Sequence, residues 1–472
     1  MRRKYRCQSS DSTDFHFCEE CFQKQLKIDK LKTENEYLRA QLNYRKRKDK
    51  QPFGSSTPSS KLNFKKNSDT ESQRKRGGAK KGHKGYGRKL WDEKQSDEVI
   101  DLKVELEECP DCGGKLESHG IDYRSIVDAA LFEAKKLLYK IQIKHCKDCR
   151  QEVSNQPLVL PKFKYGNNLI ANAAITHFLE GVPLKRMVAM LGKDTVSSSG
   201  FHHIFHWLSQ KWEPVINDIK KEYQQSPVKH ADETGWRTDG QNGYSWLFCN
   251  DKLSLFSFEK TRSAKVPEEF LGTEPLSGVL VVDRYNGYNQ VKCNIQYCYA
   301  HLLRDVNDLE KEFPKNNEIK KFVSEFGTCL SDAIKLRRTA KNDKIYYRTA
   351  TELKEKIKML ARAPAKHLGI HKIQDIFIEK EHRLFHWVDD RKVPAENNKA
   401  EREIRPTVIA RKVSFGSQSP KGAKTRSILM SVFHTAAKRL GNDQTIKQWF
   451  VSTLDRLSEN PDVDLVTLLP GS

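Results

Sequence analysis

Apolar positions along the chain change period three times, and each change predicts a different element. Near the N-terminus Ile28, Leu31, Asn35, Leu38 and Leu42 step by 3, 4, 3 and 4 residues, with charged residues between them. That is the seam of a coiled coil in which one core Asn fixes register. It also suits a single amphipathic helix packed on its own domain, because barely two and a half heptads are present. From Asn167 to Trp212 the period is again helical, in NNLIANAAITHFLEG, PLKRMVAMLG and SSSGFHHIFHWLSQKW. Helix, short turn with Gly192 and Ser-capped helix make the outline of a helix-turn-helix. His202, His203 and His206 on its last helix lack a Cys or carboxylate to complete a metal set and suit phosphate contacts better.

After Ser226 the pattern turns to strands. VKHAD, GYSWLFCN and LSLFSFE read as three strands, with Asn250 and Asp251 turning a hairpin between the last two. A helical stretch, SAKVPEEFL, precedes GVLVVD, an aliphatic run of the kind buried on both faces of a sheet. The short connection RYNGYNQVKCN leads to a fifth strand, IQYCYA, which enters the helix HLLRDVNDLEKEF. Three strands, a helix, a strand, a short crossover and a strand is the order of a ribonuclease H-like core, whose first and fourth strands are neighbours. Asp232 ends the first and Asp283 ends the fourth, so that adjacency brings the two acids together.

From His301 to Arg391 the chain reads as charged helices, an insertion into the core. VPAENNKAEREIRP follows, with Glu401 on a short helix whose end is compatible with Pro406. GAKTRSILMSVFHTAAKRLG and DQTIKQWFVSTLDRL read as two closing helices. Three carboxylates gathered at one place suit two hard divalent cations, Mg²⁺ or Mn²⁺, the arrangement that cuts and joins phosphodiesters.

Charge points to the partner. The formal net charge is +22, and 16 Lys/Arg against 3 acids lie between Arg45 and Lys89. A polyanion such as DNA is the expected partner of that stretch, although a solvated tail has the same composition. Arg74, Lys75, Arg76, Lys80, Lys81, Lys84 and Arg88, spaced by glycines, are its candidate phosphate contacts, with Arg402, Arg405, Arg411 and Lys412 near the third acid. Four of the eleven cysteines, Cys109, Cys112, Cys146 and Cys149, form a C-x2-C-x33-C-x2-C set, the ligand spacing of one structural Zn²⁺ in a zinc ribbon. Strands are expected around Tyr123 to Val127 and Leu137 to Ile143 between the two pairs. Cys7, Cys18 and Cys21 have no such spacing. No apolar run reaches the roughly 18 residues of a membrane helix, and the N-terminus lacks the apolar core of a signal peptide, so a cytoplasmic protein with no membrane partner is expected.

The motifs, taken in order, resemble transposases of the insertion sequence 66 family, which are DDE-type enzymes. They are the heptad helix, FGSSTPSS, GGAKKGHKGYGR, the zinc ribbon, HADET, VVDRYNGYN, CYAHLLRD, NNKAEREIRP and RKVSFGSQSPKGA. The resemblance implies catalytic Asp232, Asp283 and Glu401, a ribonuclease H-like fold with a helical insertion, and His301 and Arg304 as possible neighbours of the site. It implies element ends and target as DNA partners, a homodimer or larger assembly on DNA, and possible accessory proteins of the same element. The expected architecture is a multidomain α+β/α/β chain. Residues 1–22 are unassigned, 23–46 a coiled-coil helix, 47–100 a basic arm, 101–160 the zinc ribbon and 161–225 the helix-turn-helix region. Core segments 226–300 and 393–472 then flank an insertion at 301–392. Two rival functions fit some of these features: a ribonuclease H-like nuclease or resolvase, and a zinc-containing DNA-binding regulator without chemistry.

Overall fold

In the computed structural model the described residues are 19–50, 143–145, 152–154, 158–161, 163, 165–191, 196–441 and 444–471. All belong to one unit, Met1–Ser56 with Lys136–Ser472. Among the described residues the first elements are helix α1 (Glu19–Lys50) and strands β1 (Ile143–His145) and β2 (Glu152–Ser154), the strands an antiparallel pair with Lys144 opposite Val153. These two strands bracket the segment that carries Cys146 and Cys149. The cysteines themselves, the rest of the expected Leu137 to Ile143 strand and the arm from Arg74 to Arg88 lie outside the described residues.

Helices α2 (Asn167–Phe178), α3 (Leu184–Leu191) and α4 (Ser198–Gln225) come next. The Ser197 hydroxyl caps α4 by accepting from the Gly200 N–H at 3.1 Å. At 28 residues α4 is far longer than a recognition helix, and its stripe Phe201, Phe205, Leu208, Trp212, Val215 and Ile219 is buried. The outline read as a helix-turn-helix therefore ends in a scaffold helix of the core. His202 and His203 sit on its exposed side, and His206 is held by the Thr425 hydroxyl at 2.6 Å.

The sheet is built from β3 (Val228–Thr238), β4 (Gln241–Cys249), β5 (Ser254–Glu259), β6 (Val279–Val282) and β7 (Asn294–Tyr297), with helix α5 (Lys265–Leu271) between β5 and β6. Its order is β5-β4-β3-β6-β7. The first three strands are antiparallel neighbours, while β6 runs parallel to both β3 and β7. All four residues of β6, Val279 to Val282, are buried, as an aliphatic run in a central parallel strand requires. Asp239 and Gly240, both at positive φ (54° and 71°), turn β3 into β4 in the sense that matches strand twist. Asn250 closes the next hairpin by accepting from the Lys252 and Leu253 N–H groups at 2.7 and 2.8 Å.

Helix α6 (Tyr299–Glu312) follows β7 and begins the helical insertion, which continues through α7 (Asn317–Phe322), α8 (Thr328–Thr339), α9 (Asp343–Ala361) and α10 (Leu368–Glu379). The chain then returns with α11 (Asn398–Glu403), α12 (Arg405–Ser414), α13 (Pro420–Arg439) and α14 (Ile446–Glu459). Pro406 lies in the first turn of α12, where its missing N–H costs nothing, and the short helix of Glu401 ends before it at Glu403. On α13, Ser431 and Thr435 accept from the Phe256 and Ser254 N–H groups at 2.8 and 3.1 Å. These bonds satisfy backbone groups of β5 that an open sheet edge would leave for another chain.

Candidate active site

Two strands set the geometry. β3 and β6 pair in parallel with Val228 opposite Val279, Lys229 opposite Leu280 and His230 opposite Val281. Carrying that register two residues further sets Asp232 level with Asp283. Asp283 stands just past the end of β6, as its sequence position suggests. β3, by contrast, runs on to Thr238, because β4 continues to pair with it after β6 stops. Asp232 thus lies where β3 loses one neighbour and keeps the other. Each acid accepts a nearby backbone N–H: Asp232 from Glu233 and Asp283 from Tyr285, both at 2.9 Å.

The third acid is delivered by a buried asparagine. Asn397, 1% exposed, precedes α11 and joins it to β3: its Oδ1 lies 2.8 Å from His230 Nδ1, and its Nδ2 donates to the Ala231 carbonyl at 2.8 Å. Its backbone N–H points at the Cys298 sulfur, 3.1 Å away, at the start of α6. One turn along α11, Glu401 faces α6, where Arg304 donates to it at 3.1 Å and His301 Nδ1 stands 3.5 Å from the same oxygen. The expected neighbours His301 and Arg304 are therefore beside the third acid. Ligand atoms of Cys298, His301 and Glu401 all lie within 4.8 Å of one another.

The electrostatics are those of crowded negative charge. Burial first, then Glu233, Asp283 and Glu401, hold the Asp232 carboxyl well above its ordinary value. Burial and Glu233 raise Asp283 to about 7, against the Tyr285 N–H, Arg262 and Arg284. His301 is pushed down to about 3 by burial and by Arg304 and Arg284, so near neutral pH it meets Glu401 as an uncharged imidazole. Glu233 is the acid that sequence reasoning passes over. Its side chain is 1% exposed, accepts from Arg262 Nε at 2.8 Å and from the Tyr288 hydroxyl at 2.6 Å. The Arg262 guanidinium stacks on the Tyr285 ring at 3.9 Å. The adjacent acids in HADET were the available signal for Glu233. Nothing local marks Asn397, whose role depends on three elements distant in sequence.

Of the basic residues expected near the third acid, Arg402, Arg405 and Lys412 are exposed. Arg411 is turned inward, donating to the Gly235 carbonyl at 2.5 Å and reaching the Thr234 hydroxyl at 3.3 Å. It ties α12 to β3 through these bonds.

The family model described as Transposase IS66 family matches residues 162–425, a span that contains Asp232, Asp283 and Glu401. The chain is also similar to two proteins of Sinorhizobium fredii (strain NBRC 101917 / NGR234). Uncharacterized protein y4qI is 22% identical over 337 aligned positions, which cover 64% of this chain and 61% of the relative. Uncharacterized protein y4hP is 22% identical over 408, covering 77% and 72%. The chain thus spans less than two thirds of the length of y4qI. With more than half of its length matched by the family model, the chain belongs to the IS66 family of transposases.

Proposed function

We propose that the protein is a DDE-type DNA transposase that cuts a strand at the end of an insertion element and joins it to target DNA. The observation that carries this reading is the register that sets Asp232 level with Asp283 on neighbouring parallel strands, with Glu401 brought toward them by Asn397. The strand order, with the first and fourth strands paired, agrees with the ribonuclease H-like core proposed for it and supports the same conclusion. Three carboxylates whose charges repel one another are a donor set suited to Mg²⁺ or Mn²⁺. Asp232, Asp283 and Glu401 would hold two such ions. When bound, they neutralise charge on the phosphate and lower the pKa of the attacking water or 3′-hydroxyl.

The chain's own side chains do the positioning. Arg304, half exposed beside Glu401, is placed to meet a DNA phosphate, and the uncharged His301 stands next to the same carboxylate. Arg402, Arg405 and Lys412 offer further phosphate contacts, joined by the arm from Arg74 to Arg88. Cys109, Cys112, Cys146 and Cys149 would hold one structural Zn²⁺, and the β1–β2 pair that brackets the second two suits a ribbon. The protein would act on two DNA ends as a dimer or larger assembly, in the cytoplasm. Among the described residues no helix is long and apolar enough to cross a membrane.

Strand-transfer assays with candidate element ends and Mg²⁺ test the reading. Products joined to a target circle are expected, and Asp232→Asn should lower their formation by more than ~10²-fold. Hydrolysis without joining would favour a nuclease, and full activity in Asp232→Asn would remove the assignment. Manganese binding measured directly by paramagnetic resonance should weaken in Asp283→Asn whether or not the DNA substrate is right.

A further inference from the structure

Phe415 is held in a position that packing alone does not explain. It caps α12 at φ 63°, a left-handed conformation that bulky residues rarely adopt, and the residue is 74% exposed. The backbone around it is fixed on the side facing the sheet. A Cβ on Gly416, at φ 133°, would stand 2.1 Å from the Arg237 carbonyl oxygen, so the loop lies directly against β3. Ser417 donates its N–H to Arg237 at 2.8 Å, accepts from the Asp239 N–H at 2.9 Å, and takes the Trp236 indole N–H on its hydroxyl at 3.1 Å. Behind it, Trp236 is buried between the Phe258 ring at 5.0 Å and the Arg426 guanidinium at 5.0 Å. Strained backbone survives where the surroundings over-determine it, and such places cluster at ligand clamps.

What the ring faces is basic. Phe415 lines a groove of about 390 Å³ together with Arg237, Asn242, Tyr244 and Arg411, within the ~300–1,000 Å³ common for ligand sites. The groove begins at Gly235, three residues along β3 from Asp232, which is about 10 Å. On α12, Arg405, Ile409 and Lys412 recur at helical spacing, are all exposed, and run from the end nearer Glu401 toward Phe415. An exposed aromatic ring and one aliphatic side chain set among arginines and lysines suit a nucleic acid better than a protein surface. The ring takes the face of a base, and the cations take phosphates.

We propose that Phe415 stacks on an unpaired base of the DNA strand close to the scissile phosphate, holding the end open while the strand is cut. This rests on the DNA-cleaving function proposed above. Binding in the presence of Ca²⁺, to prevent cutting, is measured on two duplexes of a candidate element end: one fully paired, the other with a single mismatched base beside the cleavage position. The full-length protein should prefer the mismatched duplex. Phe415→Ala should lose roughly ten-fold in affinity for it, keep its affinity for the paired duplex, and regain the preference as Phe415→Trp. Because the ring is mostly exposed, Phe415→Ala should fold normally, which circular dichroism checks. Equal loss on both duplexes, or none on either, overturns the proposal, as does a change in oligomeric state without a change in base preference. If the unaltered protein cuts and joins DNA while Phe415→Ala keeps its preference, only this inference falls. If the unaltered protein neither binds nor cuts DNA, the functional reading falls with it.

Discussion

Asn397 shows how much of the site depends on one side chain that performs no chemistry. It uses its amide oxygen, its amide nitrogen and its backbone N–H to tie α11 to His230, Ala231 and Cys298, and so determines where Glu401 stands. Replacing it with Ala leaves the buried His230 nitrogen and the Ala231 carbonyl without this partner, at a cost of about 1–3 kcal/mol for each unsatisfied group. Asn397→Ala should lower the urea midpoint and slow strand cleavage by ~10-fold or more, since small displacements of catalytic groups have large effects. An unchanged cleavage rate in a stably folded Asn397→Ala would show that Glu401 is positioned by other contacts. The place of Asp283 was legible in the sequence, because a carboxylate just past an aliphatic strand is a local pattern. Asn397, His230 and Glu233 were not, because their meaning lies in what they touch across as many as 167 residues of chain, or across a sheet.

At the level of elements, α1 answers a question the heptad pattern left open. It packs on the helical insertion, but through Tyr37, Gln41 and Tyr44: Tyr37 and Tyr44 meet Phe313 edge-on at 6.2 and 5.9 Å, and Gln41 accepts from the Leu368 N–H at 3.1 Å. Ile28, Leu31, Leu38 and Leu42 remain 44–54% exposed. At 100° per residue the two faces lie about 130° apart around the helix, so docking does not consume the seam. The helix thus docks on its own unit through a face other than the heptad seam, and the seam is left uncovered within the chain. We expect a second copy to cover the seam, with Asn35 setting the register. Sedimentation should show self-association that Leu31→Glu with Leu38→Glu abolishes, while α1 stays docked. A protein that is monomeric at all concentrations, and pairs two DNA ends as well with the double substitution, would exclude the coiled coil. Element boundaries were read less well than element types. β3 overruns Asp232 and α4 is a core helix, because pairing with β4 and packing against α13 are long-range facts.

Across the whole molecule, two sets of buried titrating groups act in opposite directions. His177 is held at about 3 by burial and by Arg426, His230 at about 4 chiefly by burial, and His434 at about 4 by burial and Lys438, against an ordinary value of 6.5. Between pH 6.5 and about 4 the unfolded chain takes up protons that the native one refuses. Their stabilisation is therefore complete above pH 6.5 and is lost on acidification, by about 2 kcal/mol each at pH 5 as an upper bound. Asp283 does the reverse. Its pKa of about 7 lies above the ordinary 3.8, so the native state keeps a proton that the unfolded chain has released, and stability falls as pH rises through that window. Divalent cations at the site change only the second set, because they require the carboxylate ionised. The stabilisation given by saturating Mg²⁺, measured as the shift in urea midpoint, should therefore be small at pH 5 and grow toward pH 8. With Mg²⁺ present the fall in stability on acidification should be steeper than without it, as the histidines then act with less opposition from Asp283. In Asp283→Asn both the pH dependence of the Mg²⁺ effect and the difference in slope should shrink. An Mg²⁺ shift that is the same at pH 5 and pH 8 would mean that no buried carboxylate gives up a proton to the metal, and the proposed ion site would have to lie elsewhere.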